Sequence, residues 1–276
     1  MCWTGSRKLT TASLLGPDED GPVEVSRAGG ESDIVLVCEH AASRLPAALG
    51  GLGLSETVRQ SHVAWDIGAL AVARMLSETL DAALVAQAYS RLAYDCNRPP
   101  ESPDAIPERS EVFDVPGNRG LDDAARRQRA EALYHPFHAA IESLLDARQT
   151  QGRKPVLVTV HSFTPVYFGI ARDGELGILH DADPRFAEAM LDAASAAGLE
   201  DVRRNYPYSA ADGVTHTLRR HGVPRDIPNV MLEIRNDLVA TGPGQAEWAR
   251  RIAGLLRTAS QGMIVQQKGD HRHDRR

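Results

Sequence analysis

Ile34-Val35-Leu36-Val37-Cys38-Glu39-His40 is the stretch on which the fold turns. An apolar, β-branched run with no polar face reads as a strand buried on both sides, as in a helix-covered sheet. It ends on residues able to bind a metal or move a proton. The pattern recurs twice: Val156-Leu157-Val158-Thr159-Val160 runs into His161, and Val230-Met231-Leu232 runs into Glu233. In sheets of this kind ligands bind just beyond the carboxyl ends of the strands. Two imidazoles and a carboxylate emerging there from distant segments suit metal-assisted hydrolysis.

Outward from these runs, strand and helix signals alternate. Asp66 to Leu80 carries Leu70, Ala73, Leu76 and Leu80 on one face and predicts an amphipathic helix. Ala83 to Tyr89 is a further strand. Asp122 to Arg148 predicts a long helix with Leu133, Phe137, Ile141 and Leu144 buried and a kink at Pro136. Short strand-like pieces follow around Phe168–Ile170 and Leu176–Leu179, and Pro184 opens a helix to about Ala197. A strand over 229–234 leads to a last helix, Gln245 to Ala259. Residues 95–120 hold five prolines and no period, a loop of the length that usually carries function. The alternation predicts an α/β protein: three layers, α/β/α, around a central mixed, mainly parallel sheet. A flexible N-terminal arm is expected over 1–30, a single catalytic α/β domain over 31–262, and a charged, disordered tail over 263–276.

Composition narrows the function. A net charge of -6 argues against nucleic-acid binding, which requires a basic face. The three cysteines, Cys2, Cys38 and Cys96, form neither a disulfide framework nor a CxxC zinc pattern, so reduced thiols in a cytoplasmic enzyme are expected. Near the N-terminus Arg7 and Lys8 precede Leu14-Leu15, but Gly16-Pro17-Asp18 ends that run, so no signal-peptide core is expected. No stretch approaches the roughly 20 apolar residues of a membrane span. The tail histidines His271 and His273 read as solvated. There is no GxxxxGK[ST] phosphate loop and no GxSxG nucleophile elbow. The glycines of Gly50-Gly51-Leu52-Gly53 lack the dinucleotide-binding context, and Ser43 and Ser162 beside histidines make a poor case for a serine triad.

His40 and His161 are the candidate metal ligands, each a strand-end imidazole followed by small residues. Neutral imidazoles bind Zn²⁺ well, and a third ligand from a carboxylate leaves one position open for water. Asp66, placed as a helix N-cap that doubles as a ligand, is set ahead of Glu39, with Glu39 as the alternative. Glu233 is the candidate general base, against an ion pair with Arg235. Ser90-Arg91-Leu92-Ala93-Tyr94-Asp95-Cys96-Asn97-Arg98-Pro99 concentrates two arginines, an asparagine and an aspartate after a strand, an anion clamp for a carboxylate-bearing substrate.

Cys38-Glu39-His40-Ala41-Ala42, Asp66-Ile67-Gly68-Ala69, Ser90-Arg91-Leu92 with Asp95-Cys96-Asn97-Arg98-Pro99, His161-Ser162-Phe163-Thr164-Pro165 and Leu232-Glu233-Ile234-Arg235-Asn236-Asp237 occur in the order typical of the N-formylglutamate amidohydrolase family. The chain resembles that family from about Ile34 to Leu256. The resemblance implies a zinc hydrolase of phosphorylase/hydrolase-like fold, distantly similar to zinc carboxypeptidases, with one Zn²⁺ per chain. In those peptidases an adjacent Asn-Arg pair holds the substrate carboxylate and a late glutamate activates water, features that Asn97-Arg98 and Glu233 match in chain order. Their first histidine is followed three residues on by a glutamate, where this chain has Ser43, so the carboxylate ligand stays open between Asp66 and Glu39.

The expected reaction is cleavage of an N-formyl or other N-acyl amino acid, with N-formyl-L-glutamate giving glutamate and formate. Arg98 and Asn97 would grip the α-carboxylate, and Arg91 would meet either the developing oxyanion or the substrate side chain. The alternatives are a carboxypeptidase-like or other N-acyl amino acid amidase and, more distantly, a metal- or ligand-binding protein without turnover. No nucleic-acid or membrane partner is expected.

Overall fold

The computed structural model describes residues 13–273, with side chains to residue 263. Cys2, Arg7, Lys8 and the side chains of His271 and His273 lie outside the described residues. In chain order the strands are β1 (Val23–Ser26), β2 (Ile34–Cys38), β3 (Ala83–Gln87), β4 (Arg109–Ser110), β5 (Phe113–Asp114), β6 (Val156–Phe163), β7 (Val166–Tyr167), β8 (Ile170–Ala171), β9 (Leu176–Leu179), β10 (Val202–Arg204) and β11 (Asn229–Arg235). The helices are α1 (Glu56–Arg59), α2 (Ala69–Leu80), α3 (Asp123–Arg129), α4 (His135–Thr150), α5 (Arg185–Ala196) and α6 (Gly242–His273).

Among the described residues seven strands form one sheet in the order β1-β3-β2-β6-β11-β9-β10. Its centre, β3-β2-β6-β11, is parallel. β1 runs antiparallel to β3, and β9 antiparallel to β11. β4–β5 and β7–β8 are separate hairpins.

Alternation along the central strands feeds two cores. Ile34, Leu36, Val158, Val160, Val230 and Leu232 face α2, α5 and α6, while Val35, Val37, Leu157 and Met231 face α4. Helices on both faces give the expected α/β/α layering. Because the central strands are parallel, their carboxyl ends meet along one edge, and every candidate site residue lies at or beyond that edge.

Several boundaries differ from the sequence reading. Residues 23–26, within the expected arm, pair with β3 at the sheet edge, and Leu14 is buried. The last helix continues to His273 instead of ending near Ala259. The helix expected over 122–148 contains a π-helical turn, Ala130–Tyr134, just before Pro136. A proline ring clashes with the carbonyl four residues earlier, and widening that turn relieves the clash. The proline-rich loop is ordered from within. Asn118 donates to Leu92 O and Pro107 O, and buried Arg129 donates to Ala93 O, Gly117 O and Asn118 Oδ1.

Candidate active site

β2 ends at Cys38, and the turn that follows brings His40 over the sheet edge. His40 O accepts from Asp66 N at 2.9 Å, and Ser162 Oγ donates to Ile67 O at 2.8 Å, so the loop before α2 is fastened to both strands. Gly68 is required there: its φ is 81°, and a Cβ would lie 2.3 Å from Val239 O. This fastening directs the Asp66 carboxylate inward. The expected capping role of Asp66 does not hold, because α2 begins at Ala69 and its N-cap is Gly68.

His40, Asp66 and His161 are buried together, with candidate ligand atoms all within 4.8 Å of one another. Asp66 Oδ2 lies 3.3 Å from His40 Nδ1 and 2.9 Å from His161 Nδ1, and the two Nδ1 atoms are 3.2 Å apart. Ligands at about 2.0–2.1 Å from a tetrahedral zinc stand roughly 3.3 Å from one another, so this triangle has the size of one tetrahedral face. The same carboxylate oxygen also accepts from Ser162 N at 3.3 Å.

Each histidine is steered from behind by a second carboxylate. His40 Nε2 lies 2.8 Å from Asp95 Oδ1, and His161 Nε2 lies 3.0 Å from Glu39 Oε2, close although off the line of a good hydrogen bond. With Nε2–H turned to those carboxylates, both rings present Nδ1 lone pairs inward, the arrangement typical of metal-bound histidines. Arg91 spans the set, reaching Asp66 Oδ1 at 3.3 Å and Asp95 Oδ2 at 3.2 Å. Asp66, Asp95 and Glu39 against Arg91 leave an excess of negative charge that a divalent cation would balance. Burial opposes charging His161, yet Glu39 and Asp66 outweigh it and raise its pKa well above the usual histidine range. The carboxylates thus draw a positive charge here that is either a proton on the ring or a metal ion in the proton's place. The donor set, its spacing and its charge fit a metal ion.

Glu233 is the register partner of His161 on adjacent β11, on the same face of the sheet. It is buried, and Oε2 has no hydrogen-bond partner among the described residues. Burial pushes its pKa up to about 7, although His161 pulls the other way. The ion pair with Arg235 is not formed, since Arg235 bonds Asp237 Oδ1 at 2.8 Å and Asp173 O at 2.9 Å. A carboxylate at such a pKa beside a metal site suits proton transfer near neutral pH.

Asn97 departs from expectation. Its amide donates to Val214 O and accepts from Thr217 N, so both polar ends are committed to the backbone of the 214–217 segment and not to a substrate. Arg98 is part-exposed, donates to Asn97 O, and forms no ion pair among the described residues. The loop carrying Asp95 is braced by a buried imidazole pair: His138 Nε2 donates to Cys96 O and His138 Nδ1 accepts from His221 Nε2, both at 2.8 Å. Burial lowers these two pKa values to about 2 and about 3, so both rings stay neutral. Asp95, grouped by the sequence with the anion clamp, instead backs His40. Its four-residue spacing from Arg91 was the available signal. A cavity of about 100 Å³ opens onto the site, lined by Asp66, Arg91, Ser162, Glu111, Tyr167 and Tyr208.

The family model for N-formylglutamate amidohydrolase matches residues 32–240, a span that holds every residue of this site. The chain belongs to the N-formylglutamate amidohydrolase family. It is accordingly a metal-dependent amidohydrolase. Among solved structures, the gene product Atu2144 from Agrobacterium tumefaciens is 52% identical, with a TM-score of 0.89 over 91% of this chain and 99% of its own. The N-formylglutamate amidohydrolase from Ralstonia eutropha JMP134 is 20% identical, with a TM-score of 0.65 over 88% of this chain and 98% of its own, a likeness of fold. No curated protein matches.

This geometry separates Asp66 from Glu39. Asp66→Asn is expected to abolish tight metal binding. Glu39→Gln and Asp95→Asn should each weaken it roughly 10- to 100-fold, the scale for losing a partner of a ligating histidine. Chelator competition measures all three, and a Glu39→Gln protein that loses metal more completely than Asp66→Asn would reverse the assignment.

Proposed function

We propose that this protein is a zinc amidohydrolase that cleaves N-formyl-L-glutamate to glutamate and formate. The reading rests on one observation: two inward Nδ1 atoms and a carboxylate oxygen converge beside a buried carboxylate, Glu233, that is free to take a proton. His40, Asp66 and His161 would hold Zn²⁺, the metal best matched to two imidazoles and a carboxylate with one position left open. When bound, the ion supplies Lewis acidity, lowering the pKa of water from 15.7 toward about 7 and polarising the scissile carbonyl.

The chain's own groups supply the rest. Glu233 accepts the proton of the attacking water and passes it to the leaving nitrogen. Arg91, held by Asp66 and Asp95 and lining the cavity, faces the developing oxyanion. Arg98 grips the α-carboxylate, while Asn97 fixes the loop from which it extends. A cavity this small favours a formyl or similarly short acyl group over a peptide. Cys38 and Cys96, both buried and unpaired, accord with a cytoplasmic location. Among the described residues no helix is long and apolar enough to cross a membrane.

The test is release of free amine from a panel of N-acyl amino acids by the zinc-loaded protein. N-formyl-L-glutamate should be turned over best, and a preference for acetyl or peptidyl substrates would favour the broader amidase reading. In the same assay Arg98→Ala should lower kcat/KM about 10- to 100-fold for substrates with a free α-carboxylate. The penalty should largely vanish when that carboxylate is amidated. Equal penalties on acid and amide would remove Arg98 from this role.

A further inference from the structure

Arg172 follows β8 at the foot of the β7–β8 hairpin, where its backbone N–H closes the loop onto Pro165 O at 2.8 Å. Its guanidinium lies over two aromatic rings: Cζ is 4.3 Å from the Tyr167 ring centroid and 4.8 Å from that of Tyr208. Nη1 donates to the Tyr208 hydroxyl at 3.0 Å. The side chain is part-buried and forms no ion pair among the described residues. Neighbouring Asp173 is engaged elsewhere, 2.9 Å from Arg203.

Both rings line the cavity that also contains Asp66 and Arg91. Tyr208 is close enough to Glu233 for the carboxylate's charge to reinforce burial in raising the phenol's pKa to about 12. The tyrosine therefore stays protonated, within electrostatic reach of the base and hydrogen-bonded to the arginine. The two cation–π contacts hold the guanidinium in place, and the single bond to Tyr208 leaves most of its five N–H donors without a protein acceptor among the described residues. A partly desolvated cation held this rigidly, with donors to spare, is a receptor for a planar anion.

We propose that Arg172, clamped by Tyr167 and Tyr208, binds the side-chain carboxylate of the substrate and so restricts the enzyme to N-acyl derivatives of acidic amino acids. This rests on the amidohydrolase reading above and adds a second anion subsite to the one assigned to Arg98. A pocket built to bond a charged group discriminates strongly against the analogue lacking it, because its own buried donors are then left unpaired.

The experiment compares N-formyl-L-glutamate with N-formyl-L-glutamine, its neutral isostere, on wild type, Arg172→Met and Arg172→Lys. Arg172→Met should lower kcat/KM for the glutamate substrate about 10- to 100-fold and leave the glutamine substrate within about threefold. Arg172→Lys, which keeps charge but loses the planar fork, should recover part of the loss. Equal losses on both substrates would mean that Arg172 only supports the hairpin, and the proposal falls. It falls too if the penalty disappears with the α-amide N-formyl-L-isoglutamine, because Arg172 would then read the α-carboxylate. Should the wild type hydrolyse none of these, the amidohydrolase reading on formylglutamate fails while calorimetric binding still decides this inference. Tighter binding of L-glutamate than of L-glutamine, lost in Arg172→Met, upholds it; indifference between the two overturns it.

Discussion

Glu233→Gln is expected to fold, load metal and bind substrate like the wild type while turning over at least about 10²-fold more slowly. The substitution preserves size and outline but removes the proton acceptor. The surroundings make this a clean test. Oε2 has no partner to lose, and Arg235 is held by Asp237 and Asp173, so no buried ion pair breaks. A carboxylate whose folded pKa is raised by burial destabilises the fold as pH climbs past its unfolded value. The glutamine protein should therefore be no less stable than the wild type at pH 8. Denaturant unfolding, metal content and steady-state rates together check the pattern. An unstable but active Glu233→Gln protein would remove Glu233 from the chemistry.

His40→Ala and His161→Ala should each lose the metal outright, an effect larger than that of altering either supporting carboxylate. Removing one corner of a three-ligand site leaves two donors, too few to outcompete water or a mild chelator. Binding to the native state stabilises by about 4 kcal/mol at a thousandfold excess over Kd. Added zinc should therefore raise the wild-type unfolding midpoint and leave both variants unmoved. Elemental analysis gives the direct count. Full occupancy in both variants would overturn the ligand assignment.

The candidate ligands and base stand out in the sequence for a simple reason. A buried parallel strand is a uniform apolar run, so a histidine or glutamate at its end stands out against the background. His40, His161 and Glu233 are singled out this way as candidates, and the same contrast reveals the layered fold. Edge strands carry no such contrast. Val23–Ser26 alternates apolar and polar over only four residues, and Val202–Arg204 is shorter still, so neither β1 nor β10 could be separated from loop. Nor does local pattern give strand direction, and the antiparallel setting of β9 went unseen.

At the site, what the sequence lacked was side-chain direction. Asp66 resembles a helix cap because it directly precedes the apolar periodicity, yet Gly68 at positive φ delays the helix to Ala69 and frees the carboxylate. Glu39 and Asp95 could be placed behind the histidines only once both ring edges were visible. Asn97 matched a substrate-gripping motif, but its amide had already been claimed by residues 214 and 217, over a hundred positions away.

The pairing of His161 with Glu233 has a consequence for how this enzyme can change. Their separation is set by the hydrogen-bonded ladder between two central strands, and a slip of one residue would turn either side chain to the opposite face. The distance between the proposed metal ligand and the proposed base is thus a property of the backbone, built into the central ladder of the sheet. Arg98 and Arg172, by contrast, hang from a loop and from the foot of a hairpin. If Arg98 and Arg172 read the substrate as proposed, substitutions there should redirect the enzyme toward a different amino acid while the spacing across the ladder is kept, so that selectivity and turnover become nearly separate traits.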